Sequence, residues 1–135
     1  MRRRIVVASL VALSGILAAP LPARARAKAY PVFFQPWSAA ISDTAAQTIK
    51  TAARAALADP AAPVRVTGSA DTVGSRLANK YMSETRAQVV SDALVADGVA
   101  AQRIRIDALG ATLGPGTAPQ SYDQFSRRVV IDVGK

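Results

Sequence analysis

The 135-residue chain contains no cysteine and no histidine. The missing histidine removes imidazole from every acid–base and metal-binding role. The missing cysteine removes thiol catalysis, thiolate–metal sites, disulfides and a lipid-modified N-terminal cysteine. Aromatic residues are scarce at 5%, with a single tryptophan, while half of the residues are apolar and 19% are charged. That is the composition of a globular chain, and the length accommodates one ordinary domain. The nine acids are scattered, and no pair has the spacing of a glycosidase dyad. The expectation is a protein without catalytic residues, cofactor or metal.

The net charge of +8 is unevenly placed. Residues 1–27 carry Arg2, Arg3, Arg4, Arg24 and Arg26 and no acid; without them 12 basic residues face 9 acidic ones, a net of +3. Ile5 to Ala19 is an uncharged run of 15 residues, followed by Pro20 and Pro22. Ala23-Arg24-Ala25 and Ala25-Arg26-Ala27 place small residues where a signal peptidase reads them. A basic start, a short apolar run and a small-residue end make a secretory signal. The run is shorter than the roughly 20 residues of a membrane span. Residues 1–27 are therefore expected to be a signal peptide, cleaved after Ala25 or Ala27, and residues 28–135 a single exported domain. The modest charge of the remainder gives no support to a nucleic-acid partner.

Tyr30-Pro-Val-Phe-Phe34 has strand composition. Ser42, Asp43 and Thr44 are helix-capping residue types, and Thr44 with Gln47 has capping-box spacing. Ala45/Ala46, Ile49, Ala52/Ala53 and Ala56/Leu57 then form one apolar stripe, stopped by Asp59-Pro60. Val64 to Gly68 and Ile104 to Ala108 alternate as strands, and Arg128 to Val133 reads as a last strand. A second helix is expected over Ser83 to Asp97, alone or extended by a turn from Arg76 to Tyr81. Its stripe is Met82, Ala87, Val90, Ala93 and Leu94, and Gly98 stands where a left-handed cap belongs. Gly110 to Gln120, rich in Gly and Pro, reads as a surface loop. The order β-α-β-α-β-β predicts an α+β two-layer sandwich with helices on one face of a single mixed sheet.

Asp71 follows the second strand in a Gly-bearing loop, and Arg86 comes 15 residues later in the next helix. The spacing admits three readings: a surface salt bridge, an Asp capping its own loop, or a zwitterion receptor. In the last, the carboxylate takes an ammonium and the guanidinium fork takes a carboxylate.

Gly-Ser-Ala-Asp71-Thr-Val-Gly-Ser, then Asn79, then Met-Ser-Glu-Thr-Arg86-Ala-Gln-Val-Val resembles the signature of OmpA-like domains. These are the peptidoglycan-binding modules of outer-membrane protein A, the Pal lipoprotein and the MotB stator protein. Val32-Phe33-Phe34 with Ser38-Ala-Ala-Ile41 resembles the family's opening, and Ser126-Arg127-Arg128-Val129 its closing Asn-Arg-Arg-Val. The likeness spans about residues 30–133. It implies non-catalytic binding, in the periplasm at the cell wall or outer membrane, of the peptidoglycan stem peptide through the ammonium–carboxylate end of diaminopimelate. By matching positions, Asp71 takes the ammonium and Arg86 the carboxylate, both standing at a solvent-open rim. Asn79 is either a pocket residue or a helix N-cap, and Arg127 either reaches the pocket or is a solvated strand-entry charge. Thr72, Val73 and Gly74 supply loop contacts. Envelope proteins are a second class of partner, and an interaction or structural module of the same fold with weakened wall binding is the alternative. The chain departs from the family pattern at Gln35, where an acid is common, at Ala70 for Thr and at Ser126 for Asn. It also lacks the family's Gly-Glu pair within Gly110 to Gly116.

Overall fold

The structure, a computed structural model, describes residues 27–113 and 119–134. The leader expected in residues 1–27 lies outside the described residues except for Ala27. Four strands and two helices follow as β1 (Lys28–Phe33), α1 (Asp43–Ala58), β2 (Val64–Ala70), α2 (Arg76–Ala96), β3 (Ile104–Ala111) and β4 (Arg128–Val133), with a one-turn 3-10 helix at Ala101–Arg103 before β3. They form one mixed sheet in the order β1-β4-β2-β3. β4 runs antiparallel to both β1 and β2, while β2 and β3 are parallel and joined through α2. The expected α+β sandwich is the observed one.

Alternation decides which face of the sheet is covered. Val32, Val64, Val66, Val129 and Ile131 point into a core shared with Ile49 of α1 and Ala87, Val90 and Leu94 of α2. Their partners one residue away, among them Phe33, Arg65 and Arg128, are exposed on the other face. In α1 the buried stripe is Ala45, Ile49, Ala52, Ala53 and Ala56. Mostly alanine, it brings the helix axis close to the sheet while ordering few side-chain rotamers. Leu57, counted in the stripe from sequence, is 48% exposed. Ser42, not Thr44, caps the helix: its hydroxyl accepts from Ala45 N at 3.1 Å.

α2 ends as its sequence indicates. Gly98 adopts φ +104°, Gly98 N donates to Val95 O and Val99 N to Leu94 O, the paired bonds of a Schellman cap. Its start is earlier than Ser83. Ser75 is the N-cap, accepting from Ala78 N at 3.0 Å, so the optional turn at Arg76–Tyr81 is real helix and Asn79 is interior to it. β3 also runs past Ala108 to Ala111, taking in residues read as loop. Ser83 explains the extension: its hydroxyl accepts from Gly110 N at 2.9 Å and donates to Lys80 O at 2.8 Å. At Gly68 the helix meets the sheet so closely that a Cβ would overlap the Ser83 carbonyl oxygen. This contact sets the height of α2 over β2 and so the placement of every side chain on its buried face.

Candidate functional site

The C-terminal end of β2, the loop at residues 71–75 and the first half of α2 meet the end of β1 and the entry to β4. Asp71 is the first residue after β2 and is 5% exposed. Its Oδ1 accepts from Val73 N at 3.2 Å, closing an Asx-type turn. Its Oδ2 accepts from Arg127 Nη1 at 3.0 Å. Arg127 in turn donates from Nε to Phe34 O at 3.1 Å, tying the end of β1 to the loop after β2. The approach of Arg127 is fixed by the turn before β4, where the Asp123 carboxylate accepts from Phe125 N at 3.0 Å and from the Ser126 hydroxyl.

Arg86 is 1% exposed and is the largest fully buried side chain among the described residues. It projects from the covered face of α2 into a ring of carbonyls: Nε donates to Ser38 O at 2.9 Å, Nη2 to Gln35 O at 3.0 Å and Nη1 to Ser69 O at 3.3 Å. Its guanidinium carbon lies 5.4 Å from the centroid of the Phe34 ring, within cation–π range. Burial is the main force on its charge and pulls the guanidinium down from its ordinary value to about 10; Asp71 opposes the shift and Arg127 reinforces it. The group stays protonated at neutral pH. Three of its five N–H donors are bonded to these carbonyls, leaving one hydrogen on each terminal nitrogen without an acceptor among the described residues.

This corrects two expectations about the charged pair. The ion pair of Asp71 is with Arg127, while Arg86 is engaged by carbonyls. Neither Asp71 nor Arg86 stands at a solvent-open rim. The physical reason is the covered face of α2, on which Asn79, Ser83, Arg86, Ala87, Val90, Ser91 and Leu94 all lie. Arg86 shares the stripe with Val90 and Leu94, so it points inward with them. Arg127 is also buried rather than solvated.

The remaining residues expected at the site surround the loop. Asn79 donates from Nδ2 to Val73 O at 3.0 Å and pins the loop from beneath; the N-cap alternative is excluded by Ser75. Thr72 Oγ1 accepts from Gln120 N at 2.8 Å, and Gly74 N donates to Gln120 Oε1 at 3.1 Å. Gln120, which sequence reading left in an unassigned loop, thus bridges two loops. Gly74 needs its left-handed φ of +89°, and a Cβ there would come within 2.6 Å of the Trp37 ring. Trp37 sits in a turn closed by Ser38 N to Gln35 O at 3.2 Å, with φ +51° after Pro36. Positive φ at this position follows the type II pattern, which favours glycine; a bulky residue there costs about 1–2 kcal/mol. Arg86, holding the carbonyls of Gln35 and Ser38 on both sides of Trp37, enforces it.

Arg127 also lines a cavity of about 250 Å³ between the end of β1 and the start of α1, with Phe34, Gln35, Ser42, Thr44 and Thr48. No group of histidine, cysteine or carboxylate side chains able to hold a metal occurs among the described residues, and no described helix is long and apolar enough to cross a membrane.

The fold recurs in known proteins. The model of the OmpA family matches residues 33–128. Among solved structures, the chain is similar to the OmpA-like domain of FopA1 from Francisella tularensis subsp. tularensis SCHU S4, with a TM-score of 0.69, 22% identity and coverage of 78% of this chain and 71% of that one. The peptidoglycan-associated lipoprotein of Burkholderia pseudomallei superposes with a TM-score of 0.67 at 20% identity, covering 77% and 89% of the two chains. The periplasmic domain of Helicobacter pylori MotB gives 0.61 at 20% identity, covering 77% and 70%. No curated protein matches the sequence. With the family match spanning the sheet from the end of β1 to the start of β4, and the same fold in all three relatives, the chain belongs to the OmpA family.

Proposed function

We propose that the protein is a non-catalytic periplasmic binder of peptidoglycan, taking the ammonium–carboxylate end of diaminopimelate on the stem peptide. The observation that carries this reading is the convergence of one carboxylate, Asp71, with two guanidiniums, Arg86 and Arg127, at a loop held open by Gly74 and pinned by Asn79. A carboxylate offers about four lone-pair sites, and Asp71 uses two of them on Val73 and Arg127, so it retains acceptor capacity for an ammonium. The hydrogens of Arg86 left over by the carbonyl ring suit a carboxylate. Thr72 and Gly74 supply the loop edge. Arg127, which faces the 250 Å³ cavity, is the member of the cluster that an incoming ligand meets first.

The kinship with a peptidoglycan-associated lipoprotein and a periplasmic MotB domain supports both the wall and the compartment, and the leader pattern of residues 1–27 supports export. A few charge-assisted hydrogen bonds of about 1.5–3 kcal/mol each, less ordering and desolvation costs, correspond to micromolar to millimolar affinity for one stem peptide. Local abundance of stem peptides then governs retention at the wall.

The competing reading is an interaction or structural module in which the charges only stitch loops together. The saturation of Arg86 by three backbone carbonyls favours it. Co-sedimentation with purified sacculi separates the two. Wild type is expected to pellet, and Asp71→Asn, which keeps an acceptor for Val73 N but sets an amide against Arg127, is expected to melt at a lower temperature and, at an assay temperature where it is still folded, to stay in the supernatant. A wild-type protein that remains in the supernatant, or an Asp71→Asn variant that pellets equally, overturns the wall-binding reading of this site.

A further inference from the structure

Trp37 is the only tryptophan of the chain, and nothing in the ion-pair chemistry uses it. It is held at positive φ by a turn that glycine would suit better. Its ring lies directly on Gly74, and 48% of the residue remains exposed. An indole that served only to fill space would be expected inward with Phe34 and Val32. A bulky residue kept in a strained conformation by surrounding bonds marks a place where the presentation of its side chain matters.

We infer that the exposed face of Trp37 is a stacking platform for the amino-sugar ring to which the stem peptide is attached. This inference rests on the stem-peptide reading above and extends it from the peptide to the glycan. Three observations carry it. The first is position: the turn that carries Trp37 is held by Arg86 through the carbonyls of Gln35 and Ser38, so the indole adjoins the charged cluster that would take the stem peptide. The second is shape. The one ring–ring contact among the described residues is Phe33–Phe125, so Trp37 forms an open flat face rather than the cage that captures an ammonium. A neutral, flat, amphipathic partner suits that face, and a pyranose qualifies: its axial C–H groups carry slight positive charge and meet the negative face of the indole. The third is distance. Trp37 rests on Gly74, three residues beyond Asp71, and three extended residues span at most about 10 Å. The stem peptide, lengthened by its γ-linked glutamyl residue and the diaminopimelate side chain, spans at least that gap, so a ligand anchored at Asp71 has the reach to lay its sugar on Trp37.

Because the chain has no second tryptophan, its fluorescence reports on this one position. The test compares the alanyl-glutamyl-diaminopimelate tripeptide with the same tripeptide carried on the N-acetylated disaccharide, titrated into the full protein and into Trp37→Leu, with affinities read by calorimetry and the wild-type indole emission followed alongside. The expected result is that both ligands bind wild type, that the disaccharide adds roughly three- to tenfold in affinity, the size of one aromatic contact, and that only the disaccharide form shifts the indole emission to the blue. Trp37→Leu is expected to bind both ligands with the affinity of the tripeptide alone. Equal binding of the two ligands to wild type with unshifted emission overturns the inference while leaving the stem-peptide reading intact. A Trp37→Leu variant weakened equally toward both ligands assigns the ring a structural role and overturns it as well. If neither ligand binds wild type, the stem-peptide reading fails and this inference fails with it.

Discussion

Replacing Arg86 by alanine is expected to cost the domain much of its stability, and the structure sets the size of the loss. The substitution strips a hydrogen-bond donor from the carbonyls of Gln35, Ser38 and Ser69 at once. A buried acceptor left without a partner costs about 1–3 kcal/mol. The Ser69 bond is buried and the other two are part-buried, so water entering the vacated space satisfies some of the loss. The Phe34 contact disappears as well. Against this stands the relief of a buried charge, the same burial that lowers the guanidinium to about 10. The net is about 3–4 kcal/mol, comparable to other breaks in buried charged networks. For a domain of this size that lowers the melting temperature by roughly 15–30 °C.

Thermal unfolding followed by circular dichroism measures it, with Arg86→Met and Arg86→Lys as companions. Methionine restores most of the volume without the donors, so the hydrogen-bond component is expected to survive in it. Lysine keeps the charge but cannot span three carbonyls in a fixed fork, and is expected to recover roughly half of the loss. An Arg86→Ala protein that melts within a few degrees of wild type refutes the reasoning. It would mean that the carbonyls are solvated in its absence and that the guanidinium is free to serve a ligand alone.

Gly68→Ala is expected to destabilise by about 3 kcal/mol, because its Cβ meets the Ser83 backbone, which cannot rotate away; chemical denaturation measures it. Gly74→Ala, strained by its φ and pressed against the indole, is expected to cost about 1–2 kcal/mol and to displace the emission maximum of Trp37. The Arg86 contribution to ligand binding is expected to be constant through neutral pH and to fade as pH rises through about 10, where the buried guanidinium loses its proton. The same shift has a defined sign for stability. Above about 10 and below the ordinary guanidinium value the unfolded chain holds more protons than the folded one, so the Arg86 contribution to folding rises with pH across that window. Urea titrations of wild type and Arg86→Met at several alkaline pH values measure this as a difference.

Apolar periodicity made the sandwich legible. The Ala45–Ala56 stripe, most of the Met82–Leu94 stripe and the alternation of β2 and β4 occupy the faces their spacing assigned, and Gly98 caps α2 as its position indicated, whereas Ser83 takes the buried place expected of Met82 and Ile106 of β3 is exposed. The first turns of α2 were obscured because their covered positions are polar. Asn79 and Ser83 lie at helical steps behind Ala87, Val90 and Leu94, and extending that stripe backwards finds them. Hydrophobicity gives no signal there because each satisfies a main-chain group: Asn79 the Val73 carbonyl, Ser83 the Gly110 amide. Asp71, Arg86 and Arg127, singled out from the sequence, do cluster in the structure, but their pairing differs from the expected one. Asp71 and Arg86 are separated by one loop and part of a helix, whereas Arg127 reaches Asp71 from 56 residues away through the β4–β2 pairing. Register across a sheet, unlike spacing along a helix, leaves no mark in the local sequence. Gln120 was missed for a related reason: it acts through loop contacts with Thr72 and Gly74 rather than through an element of its own.

The two guanidiniums divide the labour in a way that decides which experiments speak to function. Arg86 holds the β1–α1 connection against the end of β2, so any variant there perturbs the frame on which Asp71 and Trp37 are mounted. Arg127 has only one backbone tie, to Phe34, beside its bond to Asp71. Asp71 has one tie to Val73. Substitution of Asp71 by asparagine preserves that tie but sets an amide against the Arg127 guanidinium, so its binding is read at a temperature where circular dichroism shows it folded. Loss of binding in Arg86→Ala, by contrast, is expected from destabilisation alone. Binding lost in an Asp71→Asn variant still folded at the assay temperature, together with binding retained in a folded Arg86→Lys, would assign the carboxylate to the ligand and leave Arg86 as the frame that holds it in position.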